Sequence, residues 1–259
     1  VNLLLIDGDE VAYKAASTSI ENDPDRFERS EEEVINKIEN TIAMYLNYLE
    51  ETFGITITDY ILFIGGSNNF RKTLFPSYKA NRKYKETPPL LSFARNYMVK
   101  EFNAFVAQGV ETDDAIVATY YQWLESPFFN PEEDAIFIAS QDKDFQQVPC
   151  ALFDTYHSRL ELRIILETGA NRFFYKQMLM GDKSDGIVGI PKVGVKTAEK
   201  ILGDDLLQSE YSLMRKVFKK YKEVYKSKAR QKFVENYTML RMIRKGIQTP
   251  KETFKVSNQ

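Results

Sequence analysis

An α/β fold built on a mostly parallel sheet flanked by helices is what this sequence predicts, and three observations predict it. Apolar runs at 3–6, 60–64 and 135–139 each end in a polar or acidic group and read as short strands buried on both faces. Between the first two, Val34, Ile38, Ile42, Leu46, Leu49 and Phe53 recur at three- and four-residue steps, the stripe of an amphipathic helix. Between the second and third, Ile116, Val117, Tyr120, Tyr121 and Leu124 repeat that spacing over 113–124. Strand, helix, strand, helix, strand is the order of a parallel sheet covered by helices. Such sheets bind ligands outside the carboxyl ends of their strands, which is where this chain places its acids.

Composition narrows the classes before any motif is read. With 259 residues, 43% hydrophobic and 28% charged, the chain is neither collagen-like nor wholly disordered. A single cysteine, Cys150, cannot make an intrachain disulfide, and it reads as a packed thiol. No apolar run reaches the roughly 18 residues of a membrane span. No basic leader precedes 3–6, so no secretory signal is expected and a reduced, cytoplasmic setting is. The 35 Lys+Arg and 37 Asp+Glu nearly cancel to −2, yet their arrangement is uneven. Basic residues dominate 71–85 and 215–232, while acids fill 21–33 and front a solvated helix start.

The C-terminal part has another character. A strand is expected over 160–166, closed by a turn at Gly169-Ala170-Asn171. From Phe173 onward short helices joined at Gly181, Gly186, Gly189, Gly194 and Gly203 lead into a Lys-rich helical stretch. A boundary is expected between 171 and 172, with the two parts packed together because nothing resembling a linker separates them.

Four acidic groups stand at element ends: Asp7 and Asp9, Glu111 with Asp113 and Asp114, Asp142 and Asp144, and Asp182 and Asp185. Each alone has an ordinary explanation. Asp9 suits an N-cap for a helix from Glu10, Asp113 could cap its own helix, and Asp182 and Asp185 could serve a turn. Their recurrence on one sheet edge does not follow from capping, because gathered carboxylates repel unless cations neutralise them. One His and one Cys cannot build a zinc site, so hard divalent ions on oxygen ligands are expected. Two such ions would clamp the attacking and leaving oxygens of a phosphodiester. His157 is not needed and reads as surface or structural.

Positive charge interleaves with aromatics in Phe70-Arg71-Lys72 and in the run from Tyr78 to Lys85, on the same sheet edge. Bases stack on aromatic rings while Arg and Lys meet phosphates; the alternative is a solvated basic loop. The segment 189–198 sets Gly189 and Gly194 around an apolar hairpin, with Lys192 before a helix from Val195 and Lys196 and Thr197 in its first turn. Free backbone N–H groups at such a helix start suit a phosphate; a plain helix–turn–helix packing motif is the alternative.

These motifs, taken together, carry a likeness. Leu5-Ile6-Asp7-Gly8, Phe70-Arg71-Lys72, Pro76 to Arg82, Gly109 to Ala115, Ser140 to Phe145 and Gly181 to Gly186, followed by the 189–198 hairpin, resemble in order the 5′-nuclease superfamily: the 5′→3′ exonuclease domain of bacterial DNA polymerase I, flap endonucleases and bacteriophage 5′-exonucleases. The likeness spans roughly 3–245 and is most like a bacteriophage 5′→3′ exonuclease.

The resemblance implies a PIN-like α/β nuclease domain over 1–171, with a basic arch or clamp at about 67–100. It implies a helical DNA-binding region over 172–259, of the helix–hairpin–helix (helix-3-turn-helix) type. It also implies two Mg²⁺ or Mn²⁺ positions: Asp7, Glu111 and Asp113 for the first, Asp142, Asp144, Asp182 and Asp185 for the second, with Asp114 nearby. Lys79 and Arg82 would approach the scissile phosphate. Arg71, Lys72, Tyr78, Lys83, Gly189, Lys192, Gly194, Val195, Lys196 and Thr197 would meet DNA, and the 189–194 hairpin of the family often holds a K⁺ ion. One departure stands out: Gly66 falls where the family usually has an Asp, leaving water, Asp9 or Asn68 to compensate, or a weakened catalyst.

The activity so implied is divalent-metal-dependent 5′→3′ exonuclease or flap cleavage of duplex-containing DNA, leaving 5′-phosphate and 3′-hydroxyl ends. Phage DNA replication or primer removal in the cytoplasm of a bacterial host would be its setting, and a monomer its state. A catalytically weakened DNA-binding protein of the same fold, which Gly66→Asp would reactivate, and a PIN-type ribonuclease are the alternatives.

Overall fold

The computed structural model describes residues 1–17, 28–81, 86–156 and 160–246. Residues 3–6 lie at the centre of β1 (Asn2–Asp7), which pairs in parallel with β2 (Asp59–Gly65) on one side and β4 (Ala135–Ala139) on the other. β3 (Phe105–Ala107) extends the sheet beyond β2, and β5 (Ala151–Asp154) extends it beyond β4, both in parallel. β6 (Glu161–Ile164) closes the far edge antiparallel to β5, giving the order β3-β2-β1-β4-β5-β6. The expected strand over 160–166 is thus β6.

Alternation along β1 divides the core between two faces. Leu3 and Leu5 pack with Phe63, Ile138 and the residues Ile116 and Tyr120 of α5 (Thr112–Leu124). Leu4 and Ile6 pack on the opposite face with Val11 of α1 (Gly8–Ala16) and Ile38 and Ile42 of α2 (Glu31–Phe53). The predicted stripe of α2 is buried at Val34, Ile38, Ile42 and Leu49, half-buried at Leu46, and exposed at Phe53 in the last turn. Its start is fixed by a capping box: the Ser30 side chain accepts from the Glu33 amide while Glu33 accepts from the Ser30 amide. Glu31, Glu32 and Glu33 occupy that first turn as expected; residues 21–27 of the acidic run lie outside the described residues.

Four expectations about the fold are corrected. Asp7, not Asp9, caps α1: its carboxylate accepts from the Glu10 amide, because the helix starts directly at the end of β1. The turn expected at Gly169-Ala170-Asn171 is instead the start of α6 (Glu167–Met180). Ala170, Phe174 and Met178 recur on its buried face, and that burial outweighs the roughly 1 kcal/mol a helical glycine costs. This helix also runs through position 172, so the chain has no structural break there. Of the segment assigned to a basic arch, α3 (Phe70–Leu74) and the turn after it bury Arg71 and Tyr78 while exposing most of their other residues. Residues from 91 onward are not part of a basic excursion: they form α4 (Leu91–Phe102), whose Ala94 and Met98 are fully buried against α1, α2 and the sheet.

The C-terminal helices build a separate apolar centre. Phe174, Met178 and Leu179 of α6 pack with Ile190, with Leu202 of α7 (Val195–Leu202), and with Val217 and Tyr221 of α8 (Glu210–Tyr225). A two-stranded ribbon, β7 (Gly181–Asp182) with β8 (Ile187–Val188), separates α6 from the 189–194 hairpin. After α9 (Ala229–Leu240) the chain turns back onto the sheet domain, where Met242 joins the core beneath α5. No helix among the described residues is long and apolar enough to cross a membrane.

Candidate active site

The carboxyl ends of β1 and β4, the start of α5 and the β7 turn meet in one crevice. Glu111, Asp113, Asp144 and Asp185 line it together with Arg71, Tyr78 and Gln147. Carboxylate oxygens of Glu111, Asp113 and Asp114 lie within 4.8 Å of one another. Asp7 and Asp142 are linked through Ser140, whose hydroxyl donates to Asp7 Oδ2 at 3.1 Å and accepts from the Asp142 amide at 3.0 Å. Asp142 then caps the 3₁₀ turn that carries Asp144, accepting from its amide at 2.9 Å. Asp182 joins through Lys143, which pairs with both Asp182 and Asp144.

Crowding of these acids shows in their proton affinities. Burial, with Glu10, Asp9 and Asp142 adding repulsion, pushes Asp7 up to about 7. Burial and the neighbouring Asp142 raise Asp144 to about 6. Asp113 is held well above the usual carboxylate range by burial and by the charges of Glu111 and Asp114. Burial alone would raise Glu111 and Asp182 too, but nearby donors reverse the sign. Lys79, Tyr78 and Arg71 hold Glu111 below its ordinary value, and Lys143 and Ser184 do so for Asp182. An all-oxygen set whose members repel one another fits a hard divalent cation.

Lysines supply positive charge inside the crevice. Lys79, in a left-handed conformation (φ 54), pairs with Glu111 and lies 3.6 Å from Asp185 Oδ2. Two expected DNA contacts prove unavailable. Arg71 is buried against Asp114, and Tyr78 is buried with its hydroxyl donating to Glu111 Oε2 (2.7 Å) and Asp185 Oδ2 (3.2 Å). Interleaved charge and aromaticity in a sequence do not reveal which face is inward. Lys72 is exposed, while Arg82, Lys83 and His157 lie outside the described residues.

Asp114 does not line the crevice, although its carboxylate lies within 4.8 Å of those of Glu111 and Asp113. Completely buried, it accepts from both terminal nitrogens of Arg71 and from the Glu111 and Ile243 amides. Asp9 likewise braces elements: Oδ2 accepts from the Gly65 amide (3.0 Å) and the Thr112 hydroxyl (2.5 Å), and Oδ1 lies 2.9 Å from Arg95 Nε. At Gly66 the backbone itself excludes a side chain. Its amide donates to Ala107 O, and a Cβ there would stand 2.2 Å from that oxygen. Reactivation by Gly66→Asp, expected on a missing-ligand reading, is therefore not a usable test in this fold.

The hairpin takes the form that the sequence suggests. Gly194 occupies the N-cap of α7 with no side-chain cap, and Lys192, Val195, Lys196 and Thr197 are exposed around it. Gly189 is buried where the chain passes Gly181, with no space for a Cβ between them. Gly189, Lys192 and Gly194 border a groove of about 570 Å³.

Sequence reasoning missed several participants. Lys143 stands between two recognised acids and could have been found by its place in Asp142-Lys143-Asp144. Gln177, donating to Asp144 at 2.6 Å, and Met239 and Leu240 at the end of α9 with Met242 just after it, which wall the crevice, carry no local motif. Glu10 is buried too, accepting from Lys14, Thr155 and the Gln141 amide, and so fastens α1 to the loops after β4 and β5.

Residues 2–167 match the family model for the 5′-3′ exonuclease, N-terminal resolvase-like domain. The chain is 28% identical over 209 residues to a 5′-3′ exonuclease of Buchnera aphidicola subsp. Schizaphis graminum, a match covering 76% of this chain and 68% of that protein. It is 30% identical over 218 residues to DNA polymerase I of Streptococcus pneumoniae, covering 77% of this chain but 23% of the polymerase. A match to the Buchnera aphidicola subsp. Acyrthosiphon pisum exonuclease covers 50% of that relative, so the chain spans only part of several proteins it matches. Among solved structures, the T5 protein co-crystallised with metal ions aligns with a TM-score of 0.54 at 17% identity, over 92% of this chain and 99% of that one. A bacteriophage T5 flap endonuclease complex with DNA and metal ions gives 0.52 at 16% identity, over 93% and 99%. At such identities these two structures speak to the fold alone.

Proposed function

This chain belongs to the 5′-3′ exonuclease family of phosphodiester hydrolases, and on that premise we propose that it cleaves DNA having a duplex portion and a 5′ end or flap, with divalent metal ions. The observation that carries this reading is the convergence of Asp7, Glu111, Asp113, Asp142, Asp144, Asp182 and Asp185 from four separate elements on one sheet edge, beside Lys79 and Lys143. Glu111, Asp113 and Asp7 are suited to hold one ion and Asp142, Asp144, Asp182 and Asp185 a second, Mg²⁺ or Mn²⁺. Bound ions would supply an activated hydroxide and charge neutralisation at the phosphate.

The protein's own groups do the rest. Tyr78 and Lys79 hold Glu111 ionised and oriented. Ser140 orients Asp7, and Gln177 orients Asp144. Lys79 would stabilise charge building on the phosphate, a role that Arg82 would share. The exposed start of α7, with Lys192 and Lys196, would grip the duplex backbone, and a K⁺ ion on the 189–194 hairpin would strengthen that grip. Cytoplasmic replication or primer removal, in the host of a phage, is the setting this activity suits.

The test is cleavage of a 5′-labelled duplex and a 5′-flap substrate by purified protein in Mg²⁺ or Mn²⁺, with EDTA and the exposed-acid variant Asp142→Asn as controls. Metal-dependent cutting by the native chain, cut by at least about 100-fold in Asp142→Asn while DNA binding stays within about threefold, is expected. Intact substrates in both metals would end the proposal.

A further inference from the structure

The run Glu111-Thr112-Asp113-Asp114 invites the assignment of all its acids to a metal, but the lone pairs of Asp114 are already used. A carboxylate offers about four acceptor positions. On Asp114, Oδ1 accepts from Arg71 Nη2 at 2.9 Å and from the Ile243 amide at 2.8 Å; Oδ2 accepts from Arg71 Nη1 and from the Glu111 amide at 3.3 Å. Asp114 has no exposed surface and Arg71 almost none.

Arg71 is as fully committed. Beyond its two bonds to Asp114, Nε donates to Thr238 O at 3.3 Å, Nη2 donates to Arg241 O at 2.7 Å, and Nη1 lies 3.5 Å from Glu111 Oε2. The guanidinium therefore ties Glu111, at the crevice, to the backbone that leaves α9. Gln147 repeats the tie from the other side, donating to Leu240 O and accepting from the Met242 amide. What is held in this way is the wall of the crevice, since Met239, Leu240 and Met242 line it opposite the acids.

We propose that Asp114 is a positioning residue and not a metal ligand: through Arg71 and the Ile243 amide it clips the strap 238–243 against Glu111, so that the end of the helical region completes the catalytic crevice. This rests on the nuclease reading for its consequence, but the clip itself is independent of metal. A metal ligand lost to substitution removes an ion. A lost clip leaves the ion count intact, loosens the strap, and lets Glu111 drift.

Two measurements on the full chain separate these outcomes: backbone amide exchange over 238–246 without metal, and Mn²⁺ titration followed by calorimetry and electron spin resonance. Asp114→Asn is expected to speed strap exchange at least tenfold, keep the native number of Mn²⁺ ions, and weaken their binding several-fold. Glu111→Gln is expected to do the reverse, lowering the Mn²⁺ binding itself with the strap still protected. Ile243→Pro, which deletes the strap's donor to Asp114 together with the Ile243 side chain packed on the core, should reproduce Asp114→Asn and serves if the latter does not fold. Loss of one Mn²⁺ equivalent in Asp114→Asn with native strap protection would overturn the proposal, as would native strap exchange in Ile243→Pro. Absence of Mn²⁺ binding by the native chain would instead refute the metal reading, and the exchange comparison would still judge the clip.

Discussion

Asp7 carries two duties that pull against each other. As the N-cap of α1 it is best ionised, yet burial and three neighbouring acids raise it to about 7. Asp144 is raised to about 6 for the same kind of reason. A carboxyl whose folded pKa exceeds its unfolded value binds more protons in the native state, so stability declines as pH climbs between the two values. For Asp7 and Asp144 that window runs from about 4 to about 7; Glu111 and Asp182, shifted downward, act in the opposite sense at lower pH. Metal-free protein should therefore melt at a lower temperature at pH 7.5 than at pH 5.5. Mg²⁺ should recover the loss mainly at the higher pH, because ligands bind ions only when deprotonated. Scanning calorimetry in EDTA and in Mg²⁺ checks this; a melting temperature that rises over the same interval in EDTA contradicts it. The acids themselves were legible in the sequence because they recur at element ends. Their division of labour was not: Asp9, Asp113 and Asp114 sit within a few residues of other acids, and only the fold shows that Asp113 lines the crevice while Asp9 and Asp114 pair with arginines.

At the level of elements, legibility followed burial pattern and length. β1, β2 and β4 are continuous apolar runs between polar ends, and α2 and α5 repeat apolar residues over several turns, so each announced itself. β3 and β5 are too short to carry a pattern of their own and exist because neighbouring strands template them. α6 was hidden by Gly169 and Asn171, which resemble a turn until Phe174 and Met178 are seen to need the same face. The crossing of the 189–194 hairpin with the end of α6 offers a sharp contrast between two glycines. A Cβ at Gly189 would stand 2.2 Å from Met180 C and 2.3 Å from Gly181 N, whereas one at Gly194 would meet nothing within 4 Å. Gly189→Ala should cost about 2–3 kcal/mol through overpacking, and Gly194→Ala under about 1 kcal/mol as a weaker N-cap. Urea denaturation of both variants measures the difference; equal costs would mean the crossing relaxes freely.

For the molecule as a whole, a net charge of −2 is the sum of two opposed surfaces, an acidic crevice at the sheet edge and basic segments on the helical side. If the hairpin meets phosphates, replacing Lys192 and Lys196 together with Ala should weaken DNA binding for every sequence alike. It should also reduce the slope of log affinity against log salt by up to about 2, at roughly 0.9 per phosphate contact. Fluorescence anisotropy across a salt series reads this directly, and an unchanged slope would remove the hairpin from the DNA interface. The crevice also depends on chain far from its acids: Ile243 reaches back 129 residues to Asp114, and Thr238 and Arg241 reach back 167 and 170 residues to Arg71. During synthesis every acid of the site leaves the ribosome well before the residues that wall it in. A chain still being translated thus carries an unfinished pocket, which closes only when a segment made long after the acids docks over them.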